Sequence, residues 1–216
     1  LRRLPAGARL ETENQFADRF GVNRHTVRKA LAVLAERGLV RSTQGRGTFV
    51  EDKPLHYPIS SKTRFSEALS RAGRDASGDL IESGEILADA VVAGMLGVET
   101  GSPVLQLVTL HRADGVPISL ARTHMPLPRF EKFDRSYMRA RSMTRAYARH
   151  GVDDYTRLST KITARIAGVQ EASLLELAPG RVVLVIDSVN VDAQSQPIQA
   201  TQSLFAADRV EIIINA

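Results

Sequence analysis

Hydrophobic positions over residues 13–36 recur at the spacing of two short amphipathic helices separated by a glycine. Phe16, Ala17 and Phe20 share one face of the first helix, predicted over Glu13–Phe20; Val27, Ala30, Leu31 and Leu34 share one face of the second. Thr12 stands at the N-cap of the first, and Gln15 completes a T-x-x-Q capping box. Asn23 caps the second and Gly38 stops it, while Gly21-Val22 supplies a tight turn. The pair predicts a helix-turn-helix. Leu39–Ser42 and Thr48–Val50 then read as two strands around Thr43-Gln44-Gly45-Arg46-Gly47, a wing whose basic, glycine-rich tip can approach phosphates or a minor groove.

Beyond residue 51 the pattern changes. Glu51–Pro58 is polar with two prolines, so residues 52–60 are expected to be a semi-rigid linker. The rest contains an internal repeat with a period of 79 to 80 residues: Leu96–Leu105 recurs as Leu175–Leu184, and Gly115-Val116-Pro117-Ile118 as Ser195-Gln196-Pro197-Ile198. Each unit predicts a helix (about Ala88–Leu96 and Gln170–Leu177), a Gly-ended turn and a β-hairpin. The first hairpin pairs Val104–Arg112 with Ile118–Met125 around Asp114-Gly115; the second pairs Val182–Val191 with Ile198–Phe205. Tyr155–Ile166 and Val210–Ile214 are expected to extend the same antiparallel sheet. The expectation is an α+β domain over residues 61–216, made of two similar halves with a cleft where they meet.

Strand alternation nominates what lines that cleft. Leu105, Leu107, Thr109 and His111 share a face, and their repeat equivalents are Leu184, Ile186, Ser188 and Asn190. A two-residue hairpin turn puts Arg122 on the face of His111; a bulge substitutes Thr123. Between the halves, Ser142 stands at the N-cap of a helix running to about Arg149, with Arg139 and Arg141 nearby. Its unpaired backbone N–H groups make it a candidate anion site, the alternative being an ordinary capped surface helix.

Composition narrows the function. The 216 residues are 43% hydrophobic and 25% charged, with no apolar run of membrane-spanning length and no signal-peptide pattern. Cysteine is absent, which excludes disulfides, thiolate metal sites and cysteine nucleophiles and fits a cytoplasmic location. The net charge of +5 is local: residues 1–50 hold ten basic and four acidic side chains, a net +6, leaving −1 for the remainder. Such asymmetry points to a polyanionic partner. The second helix presents Asn23, Arg24, His25, Thr26, Arg28 and Lys29 near its N-terminus, the end that recognition helices set against base edges. No nucleophile elbow, P-loop or dinucleotide fingerprint occurs. The five histidines form no i, i+4 pair, and His111 and His124 on strands read as structural. No catalytic residue, metal or cofactor is expected.

The stretch from Leu4-Pro5-Ala6-Gly7 through Phe20-Gly21-Val22-Asn23-Arg24-His25-Thr26-Val27-Arg28-Lys29, and on through Gly38-Leu39-Val40 to Gln44-Gly45-Arg46-Gly47-Thr48-Phe49-Val50, resembles the GntR family of bacterial transcription regulators. The resemblance implies a DNA-binding domain over residues 1–51, with contacts from Asn23, Arg24, Thr26 and Arg28 and from a wing around Gln44, Gly45 and Arg46. It also places a helix before Leu4, so the sequence is expected to begin inside that helix, and Asn14 stands where many members carry a charge. The second part resembles the UTRA ligand-sensing domain of the HutC subfamily, which has a chorismate-lyase-like fold. The resemblance is carried by Phe65-Ser66-Glu67, Arg112-Ala113-Asp114-Gly115-Val116-Pro117-Ile118, Ser142 and Gln196-Pro197-Ile198-Gln199. It implies an effector pocket at Ser66, Thr109, His111, Ala121, Ser142 and Gln199. Sugar-phosphate readers carry Arg at the positions of Thr109 and His111 and carboxylates at those of Ala121 and Gln199; this chain has none of the four. The pocket is closer to that of phosphonate-utilisation regulators, implying a small phosphorus oxyanion or organophosphonate. The expected partners are a two-fold operator in double-stranded DNA, an anionic effector and a second copy of the chain, with no membrane. The expected role is a repressor; the alternative is a winged-helix protein-interaction module that senses no small molecule.

Overall fold

The computed structural model describes residues 4, 7–43, 47–50, 54–60, 62, 69, 73 and 75–214. The chain divides into two compact units, Leu1–Pro54 and Leu55–Ala216. No described helix is long and apolar enough to cross a membrane.

In the first unit, α1 (Glu13–Phe20) opens with the Thr12–Gln15 capping box and closes on Gly21 in the left-handed conformation, φ 65°. A side chain there is strained, so glycine is the residue that lets the chain turn at once into the next helix. The α2 helix (Arg24–Glu36) is capped by Asn23, whose Oδ1 accepts from the Thr26 amide at 2.9 Å, and it buries Val27 and Leu31. Strands β1 (Val40–Thr43) and β2 (Gly47–Val50) form the wing. Residues 7–10 add a short third run along β2, tied by bonds such as Leu10 N–H to Thr48 C=O at 2.7 Å. Gln44, Gly45 and Arg46 at the wing tip lie outside the described residues.

The second unit corrects the linker expectation. Residues 55–59 are not spacer: Leu55–Ile59 is a strand, β3, and it pairs in parallel with β10 (Val210–Ile214). Leu55 and Tyr57 alternate as buried residues, which is what a strand packed on one face requires. β10 accordingly belongs to this two-stranded sheet and not to the large one.

The large sheet has six antiparallel strands in the order β4-β5-β6-β9-β8-β7. They are β4 (Ala76–Leu87), β5 (Pro103–Ala113), β6 (Val116–Pro126), β7 (Tyr155–Ile166), β8 (Val182–Asp192) and β9 (Pro197–Ala206). The order is a palindrome of two β-α-β-β units, with α3 (Ala90–Leu96) after β4 and α6 (Val169–Leu174) after β7. The halves join where β6 pairs with β9, and Arg122 faces Gln202, its own repeat equivalent, so a local pseudo-dyad passes through that pair. Sequence reading missed β4. It is a polar edge strand with little apolar alternation, yet the repeat period alone lands Ala76–Leu87 on Tyr155–Ile166.

The period-two alternation is reset in four strands. Ladder registers skip Ile81 in β4, Ile118 in β6, Leu158 in β7 and Ile198 in β9. In β6 and β9 the skipped residue follows Pro117 and Pro197; a proline has no N–H for the ladder, and a bulge absorbs the missing bond. Ile118 and Ile198 bury their side chains at 3% and 0% exposure, so the kinks are anchored by core packing.

One face of the sheet is roofed by α4 (Phe133–Ala140) and α5 (Met143–Ala148), whose Phe133, Tyr137 and Tyr147 cluster with Leu105, Leu107, Met125 and Phe130. Its other end is roofed by β3 and β10 over Ile118, Ile186 and Phe205. The opposite face carries α6, beside Val108, Leu110 and Leu204, and α3, beside Val104 and Ala200. The buried Arg209 guanidinium donates to the carbonyls of Pro117 and Leu175 at 2.6 Å each and of Glu176 at 2.8 Å, tying the first bulge to the end of α6.

Phe133 is fully buried, with its ring 4.9 Å from Tyr147 and edge-on to Phe130. Truncation opens a cavity under α5: Phe133→Ala is expected to lower the stability of the second unit by about 3–5 kcal/mol. Urea denaturation followed by tyrosine fluorescence measures this, and a loss below about 1 kcal/mol would show that the ring cluster is not a load on the fold.

Candidate nucleic-acid interface and ligand cavity

The N-terminal turn of α2 leaves Arg24, His25, Thr26, Arg28 and Lys29 exposed. Arg24 and Arg28 stand one turn apart, and both reach the carboxylate of Glu13 in the first turn of α1. Arg24 Nε donates to Glu13 Oε2 at 2.6 Å; Arg28 Nε and Nη2 donate to Oε1 and Oε2 at 3.0 and 2.9 Å. The hydrogen bonds from Arg28, then from Arg24, hold the Glu13 carboxyl at about 2, so it is ionised at any working pH. Both guanidiniums remain more than half exposed. Glu13 thus sets two guanidinium forks side by side at the N-terminal end of α2. Sequence reading missed it, because an acid in a basic motif reads as a helix-dipole residue. Gly47 is placed by packing: a Cβ there would stand 2.9 Å from Arg9 Nε, at a φ of 107°.

The second unit contains a cavity of about 130 Å³ on the roofed face of the sheet, where the two halves meet. Its floor is a belt of hydroxyls: Thr109 from β5, Thr123 and Ser119 from β6, Ser188 from β8, and Thr201 and Ser203 from β9. The bulges make this belt. Because Ile118 is skipped, His111 faces Ser119 and Thr109 faces Ala121, which places Thr123 on the cavity side. Arg122 points away, into a groove on the opposite face with His124, Lys161 and Asp187, so the bulged alternative holds and Arg122 leaves the candidate site. Gln199, Thr109, His111 and Ser142 all line the cavity. Ser66 lies outside the described residues.

A directed chain of hydrogen bonds orders the floor. Tyr147 donates to Gln199 Oε1, Gln199 Nε2 donates to Thr201 Oγ1 at 2.5 Å, and Thr201 and Thr123 hydroxyls are 3.1 Å apart. Whichever of that threonine pair donates to the other, one O–H remains for a ligand. Thr109 Oγ1 lies 3.1 Å from His111 Nε2. Burial pulls the His111 imidazole down from its ordinary 6.5 to about 4, so it is neutral near pH 7. Gly78 passes directly behind it: a Cβ there would meet the Tyr137 hydroxyl at 2.6 Å and His111 Nδ1 at 3.1 Å.

Ser142 does cap α5, accepting from the Arg145 amide at 3.5 Å, a long contact that leaves its oxygen weakly engaged. Arg141, Thr144 and Tyr155 complete the rim, the last two joined by a 3.0 Å hydroxyl pair. Arg157 of β7 also lines the cavity, and sequence reading missed it. Skipping Leu158 puts Arg157 on the cavity side while Lys161, four residues on, faces the opposite groove. Without the bulge the two would share a face. Arg157 Nε is buried and has no hydrogen-bond acceptor among the described residues. A buried donor left so costs about 1–3 kcal/mol. No Asp or Glu occurs among the described residues that line the cavity, and its charged groups are Arg141 and Arg157.

Residues 1–50 match the gntR family of bacterial regulatory proteins, and residues 71–211 match the UTRA domain. An HTH-type transcriptional regulator of Rhizobium meliloti (strain 1021) is 46% identical over 203 residues, covering 94% of this chain and 83% of the relative. The HTH-type transcriptional repressor PhnF of Mycolicibacterium smegmatis is 30% identical over 198 residues, 92% of this chain and 80% of that one. The crystal structure of PhnF from Mycobacterium smegmatis superposes with a TM-score of 0.71 at 28% identity, covering 99% of this chain and 93% of that chain.

The state of His111 has a sign that can be checked. Above pH 6.5 the imidazole is neutral in both folded and unfolded chains and adds nothing to the pH dependence. As pH falls from 6.5 toward 4, only the unfolded chain takes up the proton, so stability is lost across that window. The urea midpoint of His111→Asn is expected to fall less than that of the parent between these pH values. Equal declines would show that His111 titrates as it does in water.

Proposed function

The chain belongs to the gntR family of bacterial transcription regulators and, through its UTRA domain, to the HutC subfamily alongside the PhnF regulators, and from that premise we propose that it is a repressor released from its operator by a compact tetrahedral oxyanion. GntR regulators bind DNA and UTRA domains bind small-molecule effectors. The observation that carries the choice of effector is the cavity lining, nine serine and threonine hydroxyls and two arginines with no carboxylate among the described residues. Carboxylates would bind the ring hydroxyls of a sugar and repel an anion. Hydroxyl donors and guanidiniums suit phosphate or a phosphonate. Ser142, weakly engaged in its own cap, is the residue beside Arg141 that supplies a further donor.

Residues 1–51 grip the duplex, with Asn23, Arg24, His25, Thr26, Arg28 and Lys29 from α2 and Gln44, Gly45, Arg46 and Gly47 from the wing. One helix-turn-helix covers few base pairs, so two copies bind inverted half-sites. The second copy docks through the effector unit. There Ile86, Leu87 and Val91 leave apolar surface along the groove opposite the cavity. Effector shifts the equilibrium between operator-bound and released states by its differential affinity, typically about 1–3 kcal/mol. A full-length chain sedimenting as one protomer at working concentration would exclude the dimer.

On a duplex selected from genomic fragments, Arg28→Ala is expected to lower operator affinity by about 1–3 kcal/mol and relax preference at one base position. Affinity should also fall steeply as salt rises. If no fragment is preferred over random competitor, the first unit is a protein-interaction module.

A thermal-shift screen across phosphate, phosphonates and sugar phosphates is expected to pick out the first two. Ser142→Ala should reduce that shift; an undiminished shift, confirmed by calorimetry, would remove Ser142 from the site.

A further inference from the structure

Glu13 is an acid among the cations of the helix-turn-helix, and neither stability nor charge accounts for it there. It is the first residue of α1, and its carboxylate accepts from Arg24 and Arg28 of α2. Ion pairs as exposed as these contribute little to stability. A carboxylate beside a duplex is repelled by phosphates and lowers affinity for DNA of any sequence. An acid in a first turn suits the helix dipole, but that needs no arginine from another helix.

What the carboxylate does is select which N–H groups each guanidinium has left. Arg28 gives Glu13 its Nε at 3.0 Å and its Nη2 at 2.9 Å, a side-on pair. That leaves its Nη1 and the second hydrogen of Nη2, the end-on fork, without a partner among the described residues. Arg24 gives only its Nε, at 2.6 Å, so both its terminal nitrogens are open. Guanine presents O6 and N7 side by side in the major groove, and a guanidinium meets them with two parallel N–H groups. A free arginine reaches that pose only by losing the freedom of a long side chain; here Glu13 has restricted it before any duplex arrives. Arg24 Nε and Arg28 Nη2 share Glu13 Oε2, so the forks are held within about two base steps of each other, at roughly 3.4 Å per step.

We propose that Glu13 determines sequence specificity without touching a base. It is a positioning residue: it fixes Arg24 and Arg28 as end-on forks for two guanines about one or two base steps apart, and it lowers affinity for DNA at large. This deepens the reading of residues 1–51 as the operator-binding unit and rests on it.

The test uses the full chain, a duplex selected from genomic fragments and a random duplex of equal length. Glu13→Gln keeps the shape of the side chain and removes its charge. Its affinity for the random duplex is expected to rise about fourfold at about 0.2 M salt, as the released arginines turn to phosphates. The ratio of operator to random affinity should fall about tenfold or more. When each base pair of the operator is substituted in turn, preference should flatten at two guanine positions and persist at the others. A merely structural loss lowers both affinities and flattens no position selectively. In an Arg24→Ala/Arg28→Ala background, Glu13→Gln should leave the ratio unchanged, because no fork remains to position.

In the parent's operator complex the Arg28 Nε–H resonance, assigned with Arg28→Lys, is expected to stay protected from solvent exchange, as a donor still held by the carboxylate. This keeps the test decisive if Glu13→Gln does not fold. A parent that prefers no genomic duplex overturns the operator reading and this role together. A parent that does prefer one, with an unchanged ratio in Glu13→Gln or an unprotected Arg28 Nε–H, overturns the role of Glu13 alone. A ratio that falls as far in the doubly substituted background overturns the action through the arginines.

Discussion

A β-strand turns alternate side chains to opposite faces, and this constraint governs the effector unit because four of its strands break it. Had the ladders run without skips, His111 would share a face with Arg122 and not with Thr123, and Arg157 with Lys161. The cavity would then be floored by a different set of groups. Two breaks follow the Pro-Ile pairs at 117–118 and 197–198, where a missing N–H and a buried isoleucine hold the kink. The other two lie on the edge strands at Ile81 and Leu158, where the skipped side chains are exposed. The repeat makes the arrangement economical: one β-α-β-β unit used twice gives two bulged hairpins whose hydroxyls face each other across the β6–β9 seam.

The electrostatic design of the two units is opposite. At the recognition helix the charge is concentrated, and Glu13 spaces Arg24 and Arg28 without hiding them from solvent. Exposed pairs of this kind contribute little to stability, so their consequence is geometric. In the cavity charge is scarce. Burial keeps His111 neutral, hydroxyls supply donors without a net charge, and Arg157 stands out because nothing acidic lines the same space among the described residues. A few cations among neutral donors discriminate by ligand charge and size, whereas paired acids and bases would read a pattern of ring hydroxyls.

Much of this was legible in one dimension. The caps at Thr12 and Asn23, the turns at Gly21 and Asp114-Gly115, and both hairpins follow from local chemistry that acts within a few residues. The alternation through Thr109 and His111 named part of the floor, and the 79-residue period contained β4 as well, although its polar sequence hid it. The linker expectation failed at Leu55–Ile59 because two prolines in a short polar run describe a spacer equally well as an edge strand. What decides between them is β10, roughly 150 residues further along the chain.

The sequence by itself determined the helix-turn-helix, the doubled hairpin and the chemical character of the floor, because capping, turn conformation and hydrophobic period are short-range properties. Tertiary structure alone decided whether Arg122 or Thr123 entered the cavity, that Arg157 turned into it, and that Glu13 bridged two arginines of another helix. Each depends on register or on packing between segments far apart in the chain. A shift of one residue in register reverses every side chain that follows, and no local pattern records it.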